Sequence, residues 1–215
     1  MTKLLVIDNT DSFTFNLVQM FRRFPLDITV VRSDRITPEA AEALEPDYLL
    51  ISPGPRDPAH AGVSLPLLRT LGRRIPTLGV CLGMQCVNEV YGGRTERAPA
   101  PVHGKVSEVR HDGSGILAGV PSPFRAARYH SLAVRMATGG PLLATAHSPD
   151  GVVMALRHPR LPLFGVQFHP ESFLTENGLT IVENFLKLAP EKETIHDRSD
   201  TEHGRGGNGR SRRAA

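Results

Sequence analysis

Residues 77–85 read Thr-Leu-Gly-Val-Cys-Leu-Gly-Met-Gln, and this stretch decides the fold. Thr77 to Val80 form an apolar run of strand length. From Leu82 onward a helical segment follows with no intervening loop. Gly79 and Gly83 flank Cys81 two residues away on either side. Strand, tight turn and helix around small-x-nucleophile-x-small make a nucleophile elbow, here with Cys in the place of Ser. The turn is so sharp that the flanking side chains must be small. The nucleophile is then held at the carboxyl end of a sheet, where the N–H groups and dipole of the next helix favour a thiolate and a developing oxyanion. Cys86 lies deeper in the helix and reads as core. A lone elbow of this kind is not decisive, because free cysteines are commonly buried.

Outward from the elbow, strands and helices alternate. Apolar runs at 3–7, 28–31, 48–51 and 77–80 read as strands. Phe13, Leu17, Met20 and Phe21 recur at helical spacing, with Asp11 or Ser12 as N-cap. Thr37-Pro38 opens a second helix, and 62–71 and 82–91 are further helices. This order predicts an α/β fold: an open, mostly parallel central sheet flanked by helices. The second half changes character. Short strand candidates at 105–110, 126–129, 132–136, 142–146, 152–157 and 163–168 are separated by turn residues, which predicts a smaller antiparallel sheet. A last helix is expected over 177–188, with Leu179, Val182, Phe185 and Leu186 on one face. The reading therefore divides the chain into a folded domain at 1–190 and a disordered polar tail at 191–215.

At 215 residues and 40% hydrophobic, the chain is long enough to bury a core without disulfide or metal staples. The final twelve residues hold four arginines and no acid, so the formal charge of +3 falls to −1 without them. A near-neutral body argues against nucleic acid as a partner. No apolar run reaches membrane-spanning length, no signal peptide is read, and two cysteines make no disulfide framework. The expected compartment is the cytoplasm, with no membrane association.

A cysteine nucleophile needs a base, and the base needs an orienter. His169 ends the apolar strand at 163–168, and Glu171 follows two residues on in Phe-His-Pro-Glu-Ser. His103, His130 and His147 also end or begin strand candidates, so position alone leaves the choice open, and His158-Pro159 shows that His-Pro by itself carries little. Ser52-Pro53-Gly54-Pro55 is a rigid bend after a strand. It suits either a backbone N–H aimed at an oxyanion or a simple turn.

Together, SPGP at 52–55, GVCLGMQ at 79–85 and FHPES at 168–172 resemble the class I (triad) glutamine amidotransferases. DNTDSFTFNL at 8–17, YGG at 91–93, HGK at 103–105, HDG at 111–113 and RYHSL at 128–132 resemble one branch, the small subunit of anthranilate and aminodeoxychorismate synthases. The resemblance spans roughly residues 3–188. It implies the flavodoxin-like fold of that family and hydrolysis of L-glutamine, with ammonia passed to a chorismate-binding synthase subunit. Cys81 would be the nucleophile, His169 the base and Glu171 its orienter. Gly54 and Leu82 would hold the oxyanion. Gly54, Pro55, Arg56, Gln85, Ser131 and Leu132 would hold glutamine. No cofactor or metal is expected on this chain, and Mg²⁺ is expected on the partner.

Two positions depart from the family pattern. Met84 stands where His is common, and Arg56 stands where the family often has Gly, so a glycine-only conformation is not expected at 56. The resemblance leaves anthranilate and 4-amino-4-deoxychorismate unseparated. The alternative is the same chemistry serving another acceptor synthase, in a specialised-metabolite or nucleotide pathway. The readings from other classes are a γ-glutamyl hydrolase and a catalytically dead subunit.

Overall fold

A computed structural model describes residues 1–188; the expected tail and the last two residues of the expected domain lie outside them. The elements in chain order are β1 (Thr2–Asp8), α1 (Thr14–Phe21), β2 (Leu26–Arg32), α2 (Pro38–Ala43), β3 (Tyr48–Ile51), α3 (Ser64–Arg69), β4 (Thr77–Val80) and α4 (Leu82–Val90). They continue with β5 (Arg94–His111), β6 (Phe124–Arg135), β7 (Leu143–His147), β8 (Val153–Arg157), β9 (Leu163–Val166) and α5 (Gly178–Leu186).

The nine strands form one sheet in the order β2-β1-β3-β4-β9-β8-β7-β5-β6. The pairs from β2 through β9 are parallel. Those from β9 through β8, β7, β5 and β6 are antiparallel. The expected α/β class with flanking helices stands. The antiparallel strands, however, extend the parallel ones through the β9–β8 pair instead of forming a sheet apart, and they are nearly as numerous. The strand order changes direction at β1, which places a crevice at the carboxyl ends of β1 and β3.

Strands β3, β4 and β9 are buried along their full length, as strands covered on both faces must be. Successive side chains of β1 point to opposite faces. Leu4 and Val6 join a core with Leu17, Val18 and Phe21 of α1 and Ile181, Val182 and Phe185 of α5. Leu5 and Ile7 join a second core with Leu67 and Leu68 of α3 and Val87 of α4. The Thr37 side chain accepts a hydrogen bond from the Ala40 N–H, with Pro38 at the first helical position, as expected. The cap of α1 differs. Phe13 holds that position without a side-chain bond, and Asp11 instead accepts from the Phe13 N–H.

Two expectations need correction. The strand expected at 105–110 begins at Arg94 and is eighteen residues long. Pro99 and Pro101 hide it in the sequence, because proline cannot donate to a ladder. They lie where the β5–β6 register breaks between Arg97 and Val102. The two strands expected at 126–129 and 132–136 are one strand, β6.

Candidate active site

The pairing of β4 with β9 assembles the centre. Val80 lies opposite Val166, and the Cys81 N–H donates to the Val166 carbonyl at 2.8 Å. Cys81 therefore leaves the sheet beside Gln167, with His169 two residues further on. Cys81 takes φ +53°, ψ −103°, a strained backbone that a non-glycine residue keeps only when its surroundings enforce it. The enforcement is steric. A Cβ on Gly79 would lie 2.4 Å from the Gly83 carbonyl group, and one on Gly83 would lie 2.3 Å from the Ile51 oxygen. The α4 backbone is thus pressed onto β3 and β4, and the elbow is as tight as the two glycines allow.

His169 is 2% exposed. Its Nδ1 lies 2.7 Å from Glu171 Oε1, and the Glu171 side chain is fully buried. The His169 N–H donates to the Ala127 carbonyl, and the Thr175 hydroxyl donates to the His169 carbonyl. The rings of Phe13 and Tyr129 meet the imidazole edge-on at 5.1 Å each. The ring is fixed in place, and its Nε2 has no hydrogen-bond partner. Burial works against a charge on this ring. Cys81 and the Glu171 carboxylate outweigh it and push His169 up to about 10. Its Nδ1–H donates to Glu171, which leaves Nε2 as the atom that can exchange a proton with the neighbouring thiol.

The bend at 52–55 sits on buried polar bonds. Asn9 donates from its N–H to Ser52 Oγ and from Nδ2 to the Ser52 carbonyl, and Ser64 donates to Asn9 Oδ1. A Cβ on Gly54 would lie 2.4 Å from Leu82 Cδ2 and 2.6 Å from Asn9 Cβ. Glycine is needed here for close approach, and it brings Gly54 against Leu82. Arg56 has φ +65°. This is the left-handed region that glycine favours and that other residues can also enter. Met84 is fully buried in the core on the α3–α4 side, against Gly165, so its place in the family motif is a packing position here.

Gln85 donates to the Leu132 carbonyl at 3.5 Å and to Gln167 Oε1 at 3.3 Å, and Gln167 donates to Cys81 Sγ at 3.4 Å. A cleft of about 520 Å³ opens beside this chain, lined by Arg56, Asp57, Arg97, Ala98, Ser131 and Leu132 among others. Of the sequence-derived glutamine contacts, Arg56, Ser131 and Leu132 line the cleft and Gln85 bonds to its Leu132 edge, whereas Gly54, packed on Leu82, and the exposed Pro55 do not line it. Gln167 and the Asn9–Ser52–Ser64 brace escape the sequence reading. The signal for Gln167 is one polar residue inside an otherwise apolar strand run.

The profile of the family "Glutamine amidotransferase class-I" matches residues 5–189. The chain belongs to the class I glutamine amidotransferases. It is 49% identical over 193 residues to anthranilate synthase component 2 of Azospirillum brasilense, covering 89% of this chain and 98% of that one. It is 45% identical over 185 residues to the aminodeoxychorismate/anthranilate synthase component 2 of Bacillus subtilis, covering 86% and 95%. Among solved structures, this amidotransferase is similar to a putative GMP synthase subunit of Thermoplasma acidophilum, at TM-score 0.77, 25% identity, and 87% and 93% coverage. Among the described residues, no helix is long and apolar enough to cross a membrane, and no group of three or more His, Cys, Asp and Glu side chains could hold a metal ion.

Proposed function

We propose that this chain is the glutaminase subunit of a synthase that aminates chorismate. The observation that carries the chemistry is Cys81 on its strained elbow beside a buried His169–Glu171 pair whose Nε2 is free. With His169 raised to about 10, its Nε2 already holds the proton of the thiol, and Sγ attacks the side-chain amide carbon of L-glutamine beside this imidazolium. The oxyanion is held by the N–H groups of Leu82, at the start of α4, and of Gly54. As the C–N bond breaks, Nε2–H gives its proton to the leaving ammonia, and a γ-glutamyl thioester remains on Cys81. Water, deprotonated by His169, then releases glutamate and restores the thiol. Glu171 balances the imidazolium throughout.

The cleft carries both signs of charge, Arg56 and Arg97 against Asp57, as the head of a zwitterionic amino acid requires. Gly54, Arg56, Gln85, Ser131 and Leu132 form the glutamine grip in this reading, and Pro55 sets the bend between Gly54 and Arg56. The acceptor assignment rests on the component 2 relatives: ammonia passes to a component I partner that binds chorismate and carries the Mg²⁺. The setting is the cytoplasm, where the free thiols of Cys81 and Cys86 stay reduced. Glutaminase activity of the lone chain is weak and rises with partner and chorismate, because completing such a site takes a conformational step.

The test isolates the chain with its partner and supplies chorismate, Mg²⁺ and glutamine labelled at the amide nitrogen. The label is expected in anthranilate, in 4-amino-4-deoxychorismate or in both, read by mass spectrometry. Glutamate formed while chorismate stays untouched would overturn the acceptor assignment.

A further inference from the structure

Arg128 is 2% exposed, an unusual place for a guanidinium. Its NH1 and NH2 donate to Asp150 Oδ1 and Oδ2 at 3.1 and 3.0 Å, and NH1 also donates to Ser107 Oγ. Ser148 donates to the same carboxylate. The fork is therefore anchored from two sides. Its Nε donates to His130 Nε2 at 3.0 Å. A guanidinium has no acceptor, so His130 Nε2 must be the unprotonated nitrogen and Nδ1 must carry the hydrogen. Nδ1 lies 2.9 Å from the Leu132 carbonyl oxygen, to which it donates. Burial, with the Arg128 cation second, pushes His130 down to about 4, so the ring stays neutral at ordinary pH.

The Leu132 carbonyl is the oxygen that Gln85 also reaches, and from Gln85 the bonds run through Gln167 to the thiol. Leu132 and Ser131 line the cleft. Ser131 lies in the break of the β5–β6 ladder, with no residue of β5 registered opposite it. The ladder holds His130 opposite Val102 and Leu132 opposite Arg97 but skips Ser131 between them, and the bond from the His130 ring to the Leu132 carbonyl spans that gap.

We propose that His130, held by Arg128 and Asp150, is a positioning residue that fixes the Ser131–Leu132 edge of the cleft for the head of the glutamine substrate. This rests on the glutaminase reading, and the test separates the two. A diazo ketone analogue of glutamine labels Cys81 through the substrate grip, whereas iodoacetamide alkylates the thiol without it. In the full-length chain, His130→Ala is expected to raise the analogue concentration for half-maximal labelling about tenfold, the worth of one buried hydrogen bond. Alkylation by iodoacetamide is expected to continue at the wild-type rate. His130→Asn keeps a donor near Nδ1 and is expected to restore much of the loss. Asp150→Asn, which loosens the Arg128 anchor away from the cleft, is expected to show a smaller loss of the same kind.

Unchanged half-saturation in a folded His130→Ala chain overturns the proposal. So does equal loss of both reactions, or failure of His130→Asn to improve on alanine. If alanine does not fold, the asparagine and Asp150 variants decide by the same comparison. Failure of the glutaminase reading looks different: the wild-type chain itself shows no saturable labelling by the analogue.

Discussion

Gln167 donates a hydrogen bond to the thiol of Cys81 across a separation of 86 positions. The contact exists because β4 and β9 are neighbours with Val80 opposite Val166. One strand pairing thus brings Cys81, its hydrogen-bond donor Gln167, and His169, the proposed base, to the same end of the sheet. Gln167 also accepts from Gln85, so it links the Leu132 edge of the cleft to the Cys81 sulfur. Gln167→Leu removes the donor and leaves Gln85 short of an acceptor. The expected cost is about 1–3 kcal/mol of stability, read as a lower urea midpoint. Turnover is expected to fall further than that loss of folded protein explains.

Glu171→Gln keeps the shape of the pair and removes its charge. The carboxylate helps hold His169 above its ordinary range, so the variant ring releases its proton at lower pH. Glutaminase kcat is expected to fall about 10²-fold to 10⁴-fold, as for other triads that lose the acid. The alkaline limb of the pH–rate profile is expected to move toward neutral pH. An unmoved limb would show that Glu171 only supports structure.

The two buried histidines pull stability in opposite directions with pH. His130 is depressed in the folded state, so below about pH 6.5, the ordinary value, the unfolded chain binds a proton that the native chain refuses. Its contribution is complete at neutral pH and is lost as pH falls toward 4, by up to about 3 kcal/mol. His169 is raised. Its contribution is complete below the ordinary value and is lost as pH climbs toward 10. Urea unfolding across pH is expected to show a maximum near neutrality, and His130→Asn is expected to flatten the acid side.

Gly83 and Gly113 separate two kinds of glycine requirement. A methyl group at 83 meets the Ile51 oxygen at 2.3 Å, whereas nothing lies within 4 Å at 113, where φ is +75°. Gly83→Ala is expected to cost about 1–3 kcal/mol or more and to disable Cys81, since the elbow must open. Gly113→Ala is expected to cost about 1 kcal/mol through backbone conformation alone, with activity intact. Paired urea melts and thiol-labelling rates check both.

Much of this is legible in the sequence, for identifiable reasons. β3 and β4 are readable to the residue because fully buried strands are uninterrupted apolar runs. The elbow and FHPES stand out because their chemistry needs special residues at short spacing. β5 is not legible in full, because its prolines occupy a register break that only pairing reveals. The role of Arg128 is hidden because an arginine in a strand reads as solvent-facing, and its partner Asp150 lies in a turn. The left-handed backbone at Arg56 is not legible either, because it depends on the loop around it.

In the proposed mechanism Cys81 opens glutamine through a covalent thioester. Acid quenching during turnover, followed by peptide mass spectrometry, looks for that species itself. The predicted result is one γ-glutamyl group on the Cys81 peptide, absent from Cys81→Ala, which also produces no glutamate. Glutamate formed at the normal rate by Cys81→Ala, with no acylated cysteine in the wild type, would contradict the account.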